Sequence, residues 1–127
     1  MKLIINIPCY NEEKTLPLVL KELPHKIQGI SVIEVQIVDD GSTDKTVEVA
    51  RKFGCRIIRH KQNLGLGVAF AHGVEAALDR GCDIFVNTDG DNQYPSEYIA
   101  CLIKPILDGS SDIVIGNRTP WKVKYFS

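Results

Sequence analysis

Apolar residues fall along this chain in a strand-then-helix rhythm from end to end. Residues 2–8 form a short apolar run of β type, and residues 12–23 place Leu16, Val19, Leu20 and Leu23 at helical spacing. Pro24 helps to stop that helix. Residues 33–38 alternate as a second strand. Residues 43–53 predict a helix with Ser42 or Thr43 as N-cap, Asp44 in its first turn and Gly54 as its stop. A third strand covers residues 55–59. Residues 66–79 predict a helix with Phe70, Val74, Ala77 and Leu78 on its inner face, ending at Gly81. Residues 82–88 read as a fourth strand. Residues 96–108 carry Ile99, Leu102, Ile103 and Ile106 at helical spacing, with Pro105 kinking or shortening the helix. Residues 111–116 read as a fifth strand.

This alternation predicts an α/β fold: a doubly wound, mostly parallel sheet with helices on both faces. In such sheets ligands sit outside the carboxyl ends of the strands. Polar residues should therefore gather just after each strand, and they do. The first strand is followed by Pro8-Cys9-Tyr10-Asn11-Glu12-Glu13, the second by Asp39-Asp40-Gly41-Ser42-Thr43-Asp44 and the third by Asn63-Leu64-Gly65-Leu66-Gly67. The fourth is followed by Asp89-Gly90-Asp91-Asn92-Gln93 and the fifth by Gly116-Asn117-Arg118. The opposite strand ends carry ordinary turns such as Gln28-Gly29 and Arg80-Gly81.

Composition narrows the classes. A length of 127 residues suits one domain, 1–127, with one core. Fifteen basic against sixteen acidic residues leave a net charge of -1, which gives no electrostatic case for a nucleic-acid partner. No run of 18 apolar residues spans a bilayer, and the start lacks the pattern of a signal peptide, so a cytoplasmic protein is expected. Cys9, Cys55, Cys82 and Cys101 lie in apolar segments without a Cys-x-x-Cys spacing and read as reduced core thiols.

Asp89 and Asp91 flank a glycine that permits the chain to turn and aim both carboxylates at one point. Two such carboxylates repel unless a cation sits between them, and hard oxygen ligands suit Mg²⁺ or Mn²⁺. Gln93 adds a neutral oxygen. The plainer alternative is a polar turn before a helix, with Asp91 or Asn92 as cap. Asp39 and Asp40 are costly if buried without partners. A nucleobase N–H or ribose hydroxyls would supply them. Tyr10 is placed to pack on a base and Glu12 to accept from a ribose, against the plainer reading of a helix start capped by Asn11.

Other chemistries lack support. Gly65-x-Gly67 is followed by Phe70 where a dinucleotide fingerprint has its third glycine, and no Walker A or Gly-x-Ser-x-Gly sequence occurs. His25, His60 and His72 show no metal-type spacing and read as surface or structural residues. A phosphoacceptor receiver domain would carry its acidic pair after the first strand. Here the carboxylates follow the second and fourth. A sugar nucleotidyltransferase would carry a glycine-rich loop where Pro8-Cys9-Tyr10-Asn11-Glu12 stands.

Four ordered segments carry a resemblance: Ile7-Pro8-Cys9-Tyr10-Asn11-Glu12-Glu13, Val38-Asp39-Asp40-Gly41-Ser42-Thr43-Asp44, Asn63-Leu64-Gly65-Leu66-Gly67 and Thr88-Asp89-Gly90-Asp91-Asn92-Gln93-Tyr94-Pro95. Together they resemble glycosyltransferase family 2, and most closely its dolichol-phosphate or polyprenyl-phosphate mannosyltransferase-like group. The resemblance covers essentially the whole chain and implies a GT-A fold. It implies that Pro8, Tyr10, Glu12 and Asp39 hold the nucleoside, with Asp40 beside them. Asp89 and Asp91 match the metal motif and the catalytic pair, Asp89 also touching the donor. Gln93 matches a third metal-site residue, and Arg118 matches an arginine near the donor diphosphate.

The implied reaction transfers a sugar, with inversion, from a nucleotide diphosphate sugar to a lipid phosphate. GDP-mannose is the favoured donor, with UDP-glucose and UDP-N-acetylglucosamine behind it, and polyprenyl or dolichyl phosphate the acceptor at a membrane surface. Members of this group run on for roughly another hundred residues of acceptor side. The expectation for this chain is therefore a donor half, binding more readily than turning over, with an uncovered side that invites self-association.

Overall fold

The computed structural model describes residues 1–88, 98–109, 113–116 and 123–126. Ten elements follow one another: β1 (Lys2–Cys9), α1 (Leu16–Glu22), β2 (Val32–Asp39), α2 (Thr46–Lys52), β3 (Arg56–Arg59), α3 (Leu66–Asp79), β4 (Ile84–Asn87), α4 (Tyr98–Leu107), β5 (Ile113–Gly116) and β6 (Val123–Phe126). The first four strands form one sheet in the order β3-β2-β1-β4, and every pairing in it is parallel. The order turns back at β1, so β1 and β2 lie at the centre and their carboxyl ends face the crevice typical of such sheets.

Successive side chains of β1 go to opposite faces. Leu3, Ile5, Ile7 and Cys9 join the core with Leu16, Val19, Leu20 and Leu23 near α1, Ala50 of α2, and Ile99 and Ile103 of α4. Burying each large apolar side chain there contributes about 1.5–3 kcal/mol. The other face of the sheet carries α3. It lies on the strands through Ala69, Gly73 and Ala77, which are four residues apart. Beneath it runs a layer of amides. Gln36 Nε2 donates to Asn6 Oδ1 at 2.8 Å and to the Gly73 carbonyl at 2.9 Å, and Asn6 Nδ2 donates to Asn87 Oδ1 at 2.9 Å. Helices therefore cover both faces, as the alternation predicts.

The structure corrects several sequence expectations. The helix expected over 12–23 begins at Leu16, with Pro17 in its first turn, and the one expected over 43–53 begins at Thr46. The polar residues ahead of each are committed to another task, described below. The inner face of α3 is built from small residues instead of Phe70 and Leu78, which are exposed by 46% and 67%. A large side chain has no room where the helix rides on the amide layer, so Phe70 turns outward and packs edge-on against Phe85, ring centroids 5.9 Å apart. The fifth strand pairs antiparallel with β6, an element the sequence pattern does not reveal, instead of extending the described parallel sheet. Of the four thiols only Cys9 is buried. Cys55 and Cys82 are half-buried and Cys101 is exposed on α4.

A methyl group added at Gly73 would stand 2.6 Å from Asn6 Oδ1 and 2.7 Å from its Nδ2. Asn6 is fully buried and held on both sides, so it cannot move aside cheaply. Gly73→Ala should destabilise the chain by about 1–3 kcal/mol despite alanine's better helix propensity. Urea denaturation measures this, and an unchanged or raised midpoint would show that α3 is not seated as closely as described.

Candidate functional site

The loops at the carboxyl edge are laced to one another before any ligand is considered. Asn11 holds a left-handed backbone, φ 52°, which asparagine tolerates better than most residues. Its N–H donates to Ser42 Oγ at 2.9 Å, and its Oδ1 accepts from the backbone N–H groups of Thr43 (2.9 Å) and Asp44 (3.3 Å). Glu12 N donates to Thr46 Oγ1 at 2.9 Å and Glu13 N to Asp44 Oδ2 at 3.3 Å. The loop after β1 is thus bonded along its length to the loop after β2. Asn11, Ser42 and Thr43 do not cap helices, because their polar groups bridge loops instead. The N-cap positions, Thr15 and Lys45, make no side-chain capping bond.

The two adjacent carboxylates at the end of β2 face different ways. Asp40 turns toward the loop after β3. Its Oδ1 accepts from Leu64 N at 2.8 Å and lies 2.9 Å from His60 Nδ1, and its Oδ2 accepts from Gly65 N at 2.9 Å. A carboxylate offers about four acceptor positions, and three are taken by the protein. Burial alone would raise the Asp40 carboxyl, but the bonds from His60, Leu64 and Gly65 outweigh it and hold it below its ordinary value. The structure thus ties Asp40 to the loop after β3, while the sequence reading has it beside Asp39 in the nucleoside pocket.

Asp39 is fully buried. Its Oδ2 accepts from Ser42 N at 3.3 Å and lies 3.7 Å from Arg59 Nε. Its Oδ1 has no hydrogen-bond partner among the described residues. An orphaned carboxylate oxygen in the interior is costly, which makes it the outstanding acceptor at this edge.

Pro8 is buried within β1, Tyr10 stands 47% exposed just past its end, and Glu12 is half-buried with its Oε2 accepting from Thr15 Oγ1 at 2.9 Å. Tyr10, Glu12 and Asp39 therefore all follow or end the two central strands. Asp89, Asp91, Gln93 and Arg118 lie outside the described residues. The ladder continues to Thr88, whose N–H donates to the Asn6 carbonyl at 2.9 Å, so β4 delivers the chain to this same edge. Among the described residues no three His, Cys, Asp or Glu side chains group to hold a metal ion. Burial pushes the Cys9 thiol well above its ordinary value, with Glu12 and Asp39 adding to the effect, so it is no nucleophile.

The sequence reading of His60 and His72 as surface or structural residues did not reveal that they pair. His60 is buried, its Nδ1 on Asp40, and its Nε2 lies 2.8 Å from His72 Nδ1. Position was the available signal: His60 directly follows the third strand, at the edge where function gathers.

The all-parallel sheet with its laced carboxyl edge matches the GT-A fold of solved glycosyltransferase structures. The family model for glycosyl transferase family 2 matches residues 4–126, and the chain belongs to that family. The chain is 38% identical to the dolichol-phosphate mannosyltransferase of Pyrococcus furiosus, over 93% of this chain and 33% of that protein. It is 33% identical to the UDP-N-acetylglucosamine–dolichyl-phosphate N-acetylglucosaminyltransferase of Methanococcus voltae, over 88% of this chain and 50% of that protein. Among solved structures it resembles glucosyl-3-phosphoglycerate synthase from Mycobacterium tuberculosis, in complex with Mn²⁺, UDP and glucosyl-3-phosphoglycerate. The TM-score there is 0.74 at 26% identity, covering 91% of this chain and 43% of that one. The chain spans about half the length or less of these relatives.

Asp40 and Asp44 are both held below the ordinary value of 3.8, Asp44 because bonds from Thr46 and Glu13 outweigh its burial. Groups lowered by folding stabilise the native state fully above that ordinary value, and the contribution is lost as pH falls through the lower folded value. Asp40→Asn should therefore cost about 2 kcal/mol at neutral pH. It should also flatten the loss of stability as the solution is acidified below 3.8. Urea midpoints across that range check both, and a variant as acid-sensitive as the parent would contradict the assignment.

Proposed function

We propose that this chain binds the donor of a family 2 glycosyltransferase that moves a sugar from a nucleotide diphosphate sugar to a lipid phosphate. The observation that carries the reading is the buried Asp39 with its unpartnered oxygen at the end of β2. A nucleobase N–H is a donor of the right kind to complete it. Tyr10, exposed at the end of the neighbouring strand, would cover the base, Pro8 would shape the floor and Glu12 would accept from the ribose.

Asp89, Asp91 and Gln93 carry the hard oxygen atoms that Mg²⁺ or Mn²⁺ prefers and would hold the cation, which would offset charge on the departing diphosphate. Arg118 would add positive charge beside it. The acceptor phosphate is already anionic, so its oxygen attacks the anomeric carbon without a base to remove a proton. The bond to the diphosphate breaks on the opposite side, and the configuration inverts. The mannosyltransferase likeness favours GDP-mannose, while the UDP-linked relatives keep UDP-sugars as the competing donors. Polyprenyl or dolichyl phosphate is the acceptor we propose, which would bring a cytoplasmic chain to a membrane surface peripherally. No helix among the described residues is long and apolar enough to cross a membrane.

A second reading is a module that holds the nucleotide sugar without completing transfer and that associates with other copies of itself. Product formation from purified chain and a lipid phosphate separates the two readings.

Calorimetric titration with GDP, UDP, GDP-mannose and UDP-glucose, each with and without Mn²⁺, tests the site. One nucleotide should bind in a Mn²⁺-dependent manner. Asp39→Asn should weaken it by roughly tenfold or more, the loss of a hydrogen bond to a charged group. Asp91→Ala should remove the dependence on Mn²⁺. A folded chain that binds none of the four would refute the reading.

A further inference from the structure

The donor contacts proposed above use neither His60 nor His72. The geometry of the two histidines nevertheless leads straight to that site. Asp40 can only accept, so His60 Nδ1 carries the proton between them. In the neutral ring the other nitrogen, Nε2, is then an acceptor, and His72 Nδ1, 2.8 Å away, is its donor. The two ring planes are nearly perpendicular, with centroids 4.9 Å apart, a separation that suits a bond between ring nitrogens. His72 comes from α3, one residue before the close contact of Gly73 with Asn6, so its backbone is anchored to the sheet.

The far end of this chain of bonds is the wall of the crevice. Asp40 grips the N–H groups of Leu64 and Gly65, and His60 N donates to the Asp39 carbonyl at 2.8 Å. The loop between them presses on Gly41. A Cβ there would lie 2.6 Å from the Gln62 carbonyl carbon and 2.7 Å from Asn63 N. Residues 60–65 therefore back the peptide that carries Asp39, and they stay there because Asp40 stays ionised, oriented and bonded.

We propose that His60 and His72 are positioning residues for the nucleotide site: His72 sets the tautomer of His60, His60 orients Asp40, and Asp40 holds the loop that walls Asp39. The inference rests on Asp39 being the nucleoside contact. It assigns no contact between either histidine and the ligand.

The test uses the whole chain with UDP and GDP as probes in the presence of Mn²⁺. An asparagine amide nitrogen stands near where Nδ1 of a histidine would be, whereas glutamine reaches the place of Nε2. His72→Asn should therefore keep the donor to His60, and His72→Ala and His72→Gln should lose it. The expected result is nucleotide affinity roughly five- to tenfold weaker in the Ala and Gln variants and restored in Asn. All variants are compared below the onset of their melts. Amide exchange at Leu64 and Gly65, measured without nucleotide, should quicken in the same two variants only. Nitrogen-15 NMR of the parent should show His60 protonated at Nδ1. Should the Ala variant fail to fold, the Asn and Gln pair carries the comparison. Binding by the parent that is indifferent to His72 overturns this inference alone. Failure of the parent to bind either nucleotide, with the exchange pattern intact, overturns the site reading and this inference with it.

Discussion

The carboxylate of Asp40 is the constraint on which the rest of this edge depends. Three groups from the one segment 60–65 donate to it: the His60 ring and the Leu64 and Gly65 amides. Each bond favours the ionised form, and together they overcome the burial that would otherwise neutralise it. Because Asp40 is satisfied within the protein, its neighbour is left as the acceptor that is not. Two adjacent acidic residues thus differ: Asp40 is bonded to the loop after β3, and Asp39 keeps an oxygen without a partner among the described residues, the one we propose for the nucleoside.

The same division runs through the fold. One face of the sheet is an ordinary apolar core, with Leu3, Ile5 and Ile7 against α1, α2 and α4. The other face is a polar layer of Asn6, Gln36 and Asn87, roofed closely by the small residues of α3. Amides in register need fixed geometry, and a helix seated on them at Gly73 cannot slide. That seat holds His72 in place, and through His60 it reaches the crevice. In the reading proposed above, the donor site is thus supported from the underside of the sheet.

Sheet type, element order and the clustering of polar residues at one edge were legible in the sequence, because strand and helix periods differ and turn residues mark the breaks. The helix starts were misplaced for a physical reason. Asn11, Ser42, Thr43 and Asp44 are good caps in isolation, but across an edge they bond more profitably to each other, a choice that depends on two loops meeting in space. The inner face of α3 was misread because hydrophobic periodicity rewards Phe70 and Leu78, whereas a close helix–sheet contact selects Ala69, Gly73 and Ala77. His60 and His72, twelve residues apart, carry no local signal of their pairing. The family motif marked Asp39, Tyr10 and Glu12 as candidates for nucleoside contacts, but it could not tell which way Asp40 turns.

Carboxyl carbon-13 NMR of the chain, titrated with GDP or UDP and Mn²⁺, tests the division between the two carboxylates directly. The account predicts that the Asp39 resonance moves as nucleotide binds while that of Asp40 stays where the free protein has it. Movement of Asp40 with Asp39 unmoved would contradict it.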